Sequence, residues 1–258
     1  MLKDFDMIIH KLPDSLDEIR IYPLGDLHVG AAEFDEEFFK AWCRAVENDP
    51  FGYVVIAGDL MNNGLKDSKT NSYEEVMPPS EQKEYIHSAL EPLANKILAA
   101  TEGNHERRSG KAADSQPLYD IMCWLRRQEV YRKRCCFVKV NLGRKSNRKP
   151  SSYGIVVTHG GSNNAMKQFG ASIDGCDLLI CGHTHGGEET PSSKIYIDMR
   201  NELVTQVPYR TVRCTSFLNY GGYAIEKPYM PQSYREMQIV TLSGSEKRTE
   251  YTGKQIRV

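Results

Sequence analysis

Nowhere in the 258 residues does an apolar run approach the roughly 18–20 residues of a membrane span, so neither a helical anchor nor a membrane partner is expected. Met1 to His10 mix acids, bases and apolar residues, without the basic-then-apolar order of a secretory signal. No two cysteines form a C-x-x-C pair. The seven present, an odd number at irregular spacing, indicate neither a disulfide framework nor a zinc ribbon. The adjacent Cys135 and Cys136 read as two reduced thiols on a strand. A cytoplasmic protein is the expectation. An excess of basic charge is also lacking: 33 Lys and Arg stand against 34 Asp and Glu, for a net charge of −1. The chain as a whole therefore does not present itself to nucleic acid as a strongly basic domain would. Local basic clusters at Arg126-Arg127, at Arg132-Lys133-Arg134 and across 143–150 read as solvated helix ends and a polar hairpin. Internal repeats and long low-complexity segments are missing too.

What is present is an alternation of elements. Residues 18–25 read as a strand, and Phe34, Phe38, Ala41 or Trp42, and Ala45 recur at helical spacing near 34–47. Tyr53 to Gly58 form a short β-branched run expected of a buried strand. A helix opening at Ser80 carries the stripe Ile86, Leu90, Leu93. Lys96 to Thr101 follow as a strand, and a third helix begins near Gln116 with Pro117 at a tolerated early position. Beyond residue 134 the spans 137–142, 153–158, 177–181, 194–199, 203–217 and 238–242 read as strands with little helix between them. Alternating β and α elements followed by antiparallel strands predict two sheets packed face to face with helices outside. One domain over 1–258 is expected, its motifs within 26–185 and a strand-rich part over 190–258.

Five of these strands end in polar motifs: Gly25-Asp26-Leu27-His28, Gly58-Asp59, Gly103-Asn104-His105-Glu106, Thr158-His159-Gly160 and Gly182-His183-Thr184-His185. Loops past the carboxyl ends of strands are where ligand sites gather in α/β sheets, and adjacent glycines allow close approach. Five of the seven histidines fall inside these motifs, leaving only His10 and His87. Solvated surface histidines would not cluster so. Carboxylates, an amide carbonyl and neutral imidazoles form a mixed oxygen and nitrogen donor set, suited to manganese, iron or zinc rather than calcium. Seven candidate ligands are too many for one tetrahedral zinc and suit two ions that share a carboxylate.

The order D-x-H, G-D, G-N-H-E, H-G, G-H-x-H over roughly residues 20–187 resembles the calcineurin-like metallophosphoesterase superfamily. The stretch from Asn62 through Met77-Pro78-Pro79-Ser80-Glu81-Gln82 is also similar to phage- and prophage-encoded members, and the G-D-x-H-x-G opening to the DNA-repair exonuclease branch. The resemblance implies a four-layer α-β-β-α sandwich of two mixed sheets. It implies that Asp26, His28 and His185 bind one metal, that Asn104, His159 and His183 bind a second, and that Asp59 bridges them. His105 would be no ligand but would face the scissile phosphate, protonating the leaving oxygen or stabilising its charge. Two divalent ions are implied, manganese first, with iron, zinc and nickel as alternatives. Such a pair ~4 Å apart can hold a bridging hydroxide and clamp an in-line displacement at phosphorus.

The sequence departs from the protein phosphatases of that superfamily, which carry G-D-x-V-D-R-G at the second motif. Here Gly58-Asp59-Leu60-Met61-Asn62-Asn63-Gly64 places Asn62 where the acid supporting the catalytic histidine would stand, and Asn63 at the phosphate-clasping arginine. A neutral amide should leave His105 less cationic at pH 7 than a carboxylate would. Arg107 and Arg108 after Glu106 do resemble those enzymes, and either could orient a phosphate. Tyr220, Tyr223, Tyr229 and Tyr234 read as sheet edges or as platforms for stacked bases. The expected function is hydrolysis of phosphodiesters in nucleic acid or nucleotides, hence a nuclease or phosphodiesterase. A phosphomonoesterase acting on a nucleotide or phosphoprotein is one alternative, and a non-catalytic scaffold another. The polar stretch 62–79 is expected to border the mouth of the site.

Overall fold

The computed structural model describes residues 5–65, 74–143, 149–226, 228 and 235–255. In chain order the elements are β1 (Met7–Lys11), β2 (Glu18–Leu24), α1 (Glu36–Glu47), β3 (Gly52–Ile56), α2 (Pro79–Leu90), β4 (Ile97–Thr101), α3 (Glu106–Ala113), α4 (Pro117–Trp124), β5 (Tyr131–Arg132), β6 (Cys135–Leu142), β7 (Ser151–Thr158), α5 (Asn163–Ala171), β8 (Leu178–Cys181), β9 (Glu189–Asp198), β10 (Leu203–Arg213), α6 (Gly222–Glu226), β11 (Glu236–Ser243) and β12 (Thr249–Gln255).

The first sheet has the order β12-β11-β2-β3-β4-β5 and the second β1-β6-β7-β8-β10-β9. In the first, β2 through β5 run parallel and β11 antiparallel to β2 and β12. The second is mixed, as the resemblance implied, although its strands read from the sequence as antiparallel: β7, β8 and β10 are mutually parallel, while β6–β7 and β9–β10 are antiparallel. The parallel crossover from β7 to β8 requires a helix outside the sheet. That helix is α5, which the sequence reading passed over. Its signals are a Ser162 cap, whose hydroxyl accepts from Ala165 N–H at 3.4 Å, and an apolar spacing of Met166, Phe169 and Ile173.

Period-two alternation sorts the second sheet's side chains between two layers. Ile155, Val157, Leu178 and Ile180 face the main core, which also takes in Ile21, Val54 and Ala99 of the first sheet. Val156, Leu179 and Cys181 point the other way, against Met166 of α5. On the opposite outside, α1 buries Phe38, Phe39, Trp42 and Val46 into the main cluster, as its 3.6-residue spacing requires, and starts at Asp35, whose carboxylate accepts from Phe38 N–H at 2.9 Å. Helix, sheet, sheet and helix form the four expected layers. Strand β10 ends at Arg213 rather than at Phe217. Residues 214–217 instead turn beneath β2, where Phe217 N–H donates to Asp26 O at 3.1 Å. Edge strands β1, β5 and β12 were not anticipated either. They are short or largely exposed and lack a buried apolar run. All seven cysteines are free, and among the described residues no helix is long and apolar enough to cross a membrane.

Candidate metal centre

Strands β2, β3, β4, β7 and β8 run so that their carboxyl ends meet at one rim, and each ends one to four residues before a candidate ligand. Backbone hydrogen bonds tie the loops together: Asp26 N–H donates to Gly58 O at 3.0 Å, His28 N–H to Asp59 O at 3.1 Å, and Gly182 N–H to His159 O at 2.9 Å. Gly58 and Gly103 pass back to back. With φ of +87° at Gly58, a Cβ there would lie 2.6 Å from the Cα of Gly103, and a Cβ on Gly103 would lie 2.6 Å from the Asp59 carboxyl carbon.

All seven candidate ligands fall into one chain of contacts. His185 Nε2 lies 3.8 Å from Asp26 Oδ1 and 3.1 Å from His28 Nε2, and His28 Nε2 lies 4.0 Å from Asp59 Oδ2. Asp59 Oδ2 is also 3.1 Å from His159 Nε2, which sits 3.0 Å from Asn104 Oδ1. That oxygen is 2.8 Å from His183 Nδ1. Three sets of donor atoms each lie within 4.8 Å of one another: Asp26, His28 and His185; Asp26, Asp59 and His159; and His28, Asp59 and His105. Asp59 and Asp26 are each shared by two sets. The donors fit cations on two further grounds. His159 Nδ1 donates to Ala57 O at 2.8 Å, which turns Nε2 inward toward Asp59 and frees it as a donor atom for a cation once its proton is displaced. The facing Nε2 atoms of buried His28 and partly exposed His185 bring two imidazole nitrogens together, where a shared cation would satisfy both.

Burial and crowding set the protonation. Desolvation raises Asp26. Burial alone would raise Asp59 as well, but His159, His105 and His28 hold it well below the usual carboxylate range. Against its own burial, His159 is raised to about 9 by Asp59. Desolvation and neighbouring imidazoles push His28 and His183 down. Each anion thus faces imidazoles across a buried pocket, where charge is poorly screened.

His105 lies beside this centre, 3.8 Å from Asp59 Oδ2 and edge-on to the His28 ring at 4.4 Å. Its Nδ1 donates to the backbone carbonyl of Asn62 at 2.6 Å, and its Nε2 accepts from the Arg108 guanidinium at 2.9 Å. Burial lowers it to about 4, with Arg108 adding to the effect and Asp59 opposing it. The expected influence of Asn62 is therefore corrected in kind. Its carbonyl, which any residue would supply, holds His105, and the side-chain amide bonds Glu75 instead. Asn63 is fully buried, donating to His105 O at 2.6 Å and to Ser109 Oγ at 2.9 Å, so it cannot clasp a phosphate. Arg107 turns back to its own loop, donating to Gly103 O at 2.9 Å.

The sequence reading gave Glu106 no role. This carboxylate accepts four backbone N–H groups: Asp59 at 3.0 Å and Gly103 at 2.9 Å on Oε2, Leu60 at 2.7 Å and Met61 at 3.2 Å on Oε1. Burial and the Asp59 charge push it up to about 7 while those donors pull it down. It occupies the first turn of α3, where a helix N-terminus favours an anion. The signal was the acid immediately after Asn104-His105, inside the motif itself. Beyond it, Gln82 bonds Glu75 and accepts from Asn63 N–H at 3.0 Å, and Glu75 accepts from Gly64 N–H at 2.5 Å. These contacts pin both ends of the 62–79 stretch. Residues 66–73, on which its expected role depends, lie outside the described residues, as do Tyr229, Tyr234 and most of the basic stretch 143–150; nothing is described of the Tyr223 side chain.

Comparison with known proteins agrees with the sequence motifs. The calcineurin-like phosphoesterase family matches residues 19–187. Among solved structures the chain is similar to the calcineurin-like phosphoesterase YfkN from Bacillus subtilis, at 13% identity over 93% of this chain and 90% of that one, with a TM-score of 0.41. No curated protein matches.

Proposed function

The chain belongs to the calcineurin-like phosphoesterase family, which makes it a metal-dependent phosphoester hydrolase, and from that premise we propose that it cleaves phosphodiesters, in nucleic acid or nucleotides. The observation that carries the proposal is the shared position of Asp59, whose Oδ2 faces His28, His159 and His105 at once. We assign Asp26, His28 and His185 to one divalent ion, Asn104, His159 and His183 to a second, and Asp59 to both. Bound there, two ions supply a water-derived nucleophile near neutral pH and positive charge for the phosphate oxygens. The mixed donor set suits manganese first, with iron, zinc and nickel as alternatives.

The chain's own residues do the rest. Glu106 fixes the backbone from which Asp59 projects, by accepting both Asp59 N–H and Leu60 N–H. His105, held through Nδ1 by the Asn62 carbonyl, turns Nε2 to Arg108. Arg108 presents its guanidinium beside the centre as a donor for a phosphate oxygen, and His105, whose pKa burial lowers to about 4, donates to the leaving oxygen once it has taken a proton at Nε2 in exchange for the Arg108 contact. Although His105 belongs to one of the three donor sets, we do not assign it to a metal, because a guanidinium already occupies its inward lone pair. The diester preference rests on charge. A monoester dianion calls for more cationic clasp than a diester monoanion, and Asn63, where the protein phosphatases place an arginine, is buried and spent on His105 O and Ser109. A cytoplasmic setting is supported by seven free thiols.

The deciding experiment assays metal-reconstituted protein in parallel on a bis-aryl phosphate, an aryl monophosphate, and single- and double-stranded DNA, with metal content determined. Two ions per chain and preferential diester hydrolysis are expected. Preferential monoester hydrolysis would overturn the substrate assignment, and a single ion at saturation would overturn the shared role of Asp59.

A further inference from the structure

The β9–β10 hairpin outruns its sheet. Strand β10 first meets β8 at Arg210 opposite Leu178, so for residues 203–209 the only neighbouring strand among the described residues is β9. The base of this ribbon leans on the α5 region, where Lys194 donates to Ile173 O and Tyr209 Oη to Lys167 O at 3.4 Å. Farther out, Ile195, Tyr196, Ile197, Met199, Leu203 and Val204 are 49% to 83% exposed. The alternation of a strand puts Ile195, Ile197 and the cross-strand Val204 on one face, and Tyr196 and Leu203 on the other. Each face thus leaves large apolar side chains in water, alongside a few polar neighbours such as Gln206 and Thr205. A two-stranded ribbon is marginally stable alone, and large apolar side chains exposed together mark a contact surface.

The outer rim carries a second sign. β9 is an edge strand, with one row of backbone N–H and C=O groups turned away from β10. Folded proteins usually blunt such an edge with charge, proline or a bulge. Over Ile195-Tyr196-Ile197 there is no charge and no proline, and the register with β10 is regular from Glu189 to Asp198.

We propose that β9 pairs antiparallel with β9 of a second copy of this chain, about a two-fold axis at Tyr196, joining two six-stranded sheets into one. Side-chain matching selects that register. Centred on Tyr196, Ile195 stands opposite Ile197 of the other copy, and two-fold symmetry makes this apolar pair occur twice, while Lys194 is held by Ile173 O and Asp174 of its own copy and Asp198 by its own turn. Centred on Ile197, Tyr196 would meet Asp198. Centred on Asp198, two carboxylates would meet directly. Like charges opposite one another are destabilising. The contact also leaves the metal centre open. β8 and β10 run parallel with their carboxyl ends toward the ligand loops, so the free end of the ribbon lies at the other end of the sheet, seven residues or roughly 23 Å beyond β8 at about 3.3 Å per residue.

Sedimentation equilibrium of the full chain over about 1–100 µM tests the mass, with a dimer expected. Ile197→Lys sets an ammonium on the apolar face, so its dimer dissociation constant should rise at least 30-fold while thermal unfolding and phosphodiester hydrolysis stay unchanged. Tyr196→Cys should form a disulfide-linked dimer under mild oxidation, because directly opposed Cα atoms lie about 4.5–5.5 Å apart, within disulfide reach. Thr205→Cys, on the inner strand, should not. The unsubstituted chain, oxidised in parallel, accounts for the partly exposed Cys43, Cys123 and Cys135. Should Ile197→Lys fail to fold, the cross-link decides. A monomer at every concentration, or a dimer that neither Ile197→Lys weakens nor Tyr196→Cys traps, overturns the proposal. So does a monomer that binds anionic lipid vesicles through the ribbon.

Discussion

Glu106→Gln exchanges one carboxylate oxygen for an amide NH2 and alters little else in size. In the native protein each carboxylate oxygen takes two backbone N–H groups, from Asp59 and Gly103 on one side and from Leu60 and Met61 on the other. Whichever way the new amide is turned, one of those pairs faces an NH2 and loses its acceptor. Leaving a buried donor unsatisfied costs about 1–3 kcal/mol, so two cost about 2–6 kcal/mol. Part is returned, because the buried negative charge, at 1% exposure and beside Asp59, is itself unfavourable. A net loss of about 2–4 kcal/mol follows. At about 2–4 °C per kcal/mol for a chain near this size, Tm should fall by about 5–15 °C. The assay is thermal unfolding of chelator-treated protein, with Lys111→Ala, exposed on the same helix, as a control expected within ~0.5 kcal/mol. The loop carrying Asp59 should loosen as well, weakening metal binding by about 10–100-fold as outer-sphere changes do. A Tm shift under 2 °C with unchanged metal affinity would refute the view that Glu106 holds the Asp59 loop.

Three further outcomes are expected. Asp59→Asn should cost more turnover than Asn104→Ala, since it removes a charge shared by both assigned sites; equal losses of kcat/KM at matched metal content would contradict the sharing. His105→Asn should reduce cleavage of an oligonucleotide about 10²–10⁴-fold more than cleavage of an aryl diester, whose phenolate leaves unaided; equal defects would restrict His105 to binding the phosphate. Asp49, 8% exposed, has a pKa that burial would raise, but the Arg20 fork at 2.5 Å, Tyr22 and Phe51 N–H lower it from 3.8 to about 2. A depressed carboxyl contributes stability above its unfolded pKa and loses it as pH falls through the folded one, here between about 4 and 2. About 1.8 units at ~1.4 kcal/mol each give roughly 2.5 kcal/mol, which solvent around the quarter-exposed Arg20 reduces to about 1–2 kcal/mol. Urea unfolding of Asp49→Asn should show that deficit at pH 7 and lose it near pH 2, and a deficit independent of pH would refute the cause.

The candidate ligands were legible because each strand end writes its chemistry into three or four adjacent residues. Asp26 and His28, or His183 and His185, need no tertiary information to be paired. The large parallel strands were legible for a similar reason, since Val54 to Ile56 and Ile97 to Thr101 carry buried runs. What stayed hidden acts through the backbone or at long range. Asn62 supports His105 by its carbonyl, a group with no residue signature. Glu106 works through four N–H groups drawn from two loops 42–44 positions apart in sequence. Helix α3, Glu106 to Ala113, offers too few apolar residues for a stripe, and it forms because Glu106 and Ser109 are buried by loops rather than by a helix face.

One geometric fact connects the hidden part with the legible part. Of the nine non-glycine residues with left-handed backbone angles among the described residues, five are candidate ligands: Asp26, His28, Asp59, His183 and His185. A residue leaving a strand in the usual β region would carry its side chain on past the sheet. The left-handed turn swings it back over the strand end, which is how several strands aim at one point. That turn costs an L-residue about 1–2 kcal/mol, so five approach the 5–15 kcal/mol that keeps a domain folded. Such strain persists only where surrounding structure over-determines it. Here that structure is the Glu106 carboxylate gripping the Asp59 loop, the Gly58–Gly103 contact that no side chain could share, and residues 214–217 wedged under Asp26. Substituting glycine at a ligand would relieve the strain and forfeit the donor, so the stability sacrificed at these five positions is the physical trace of their use.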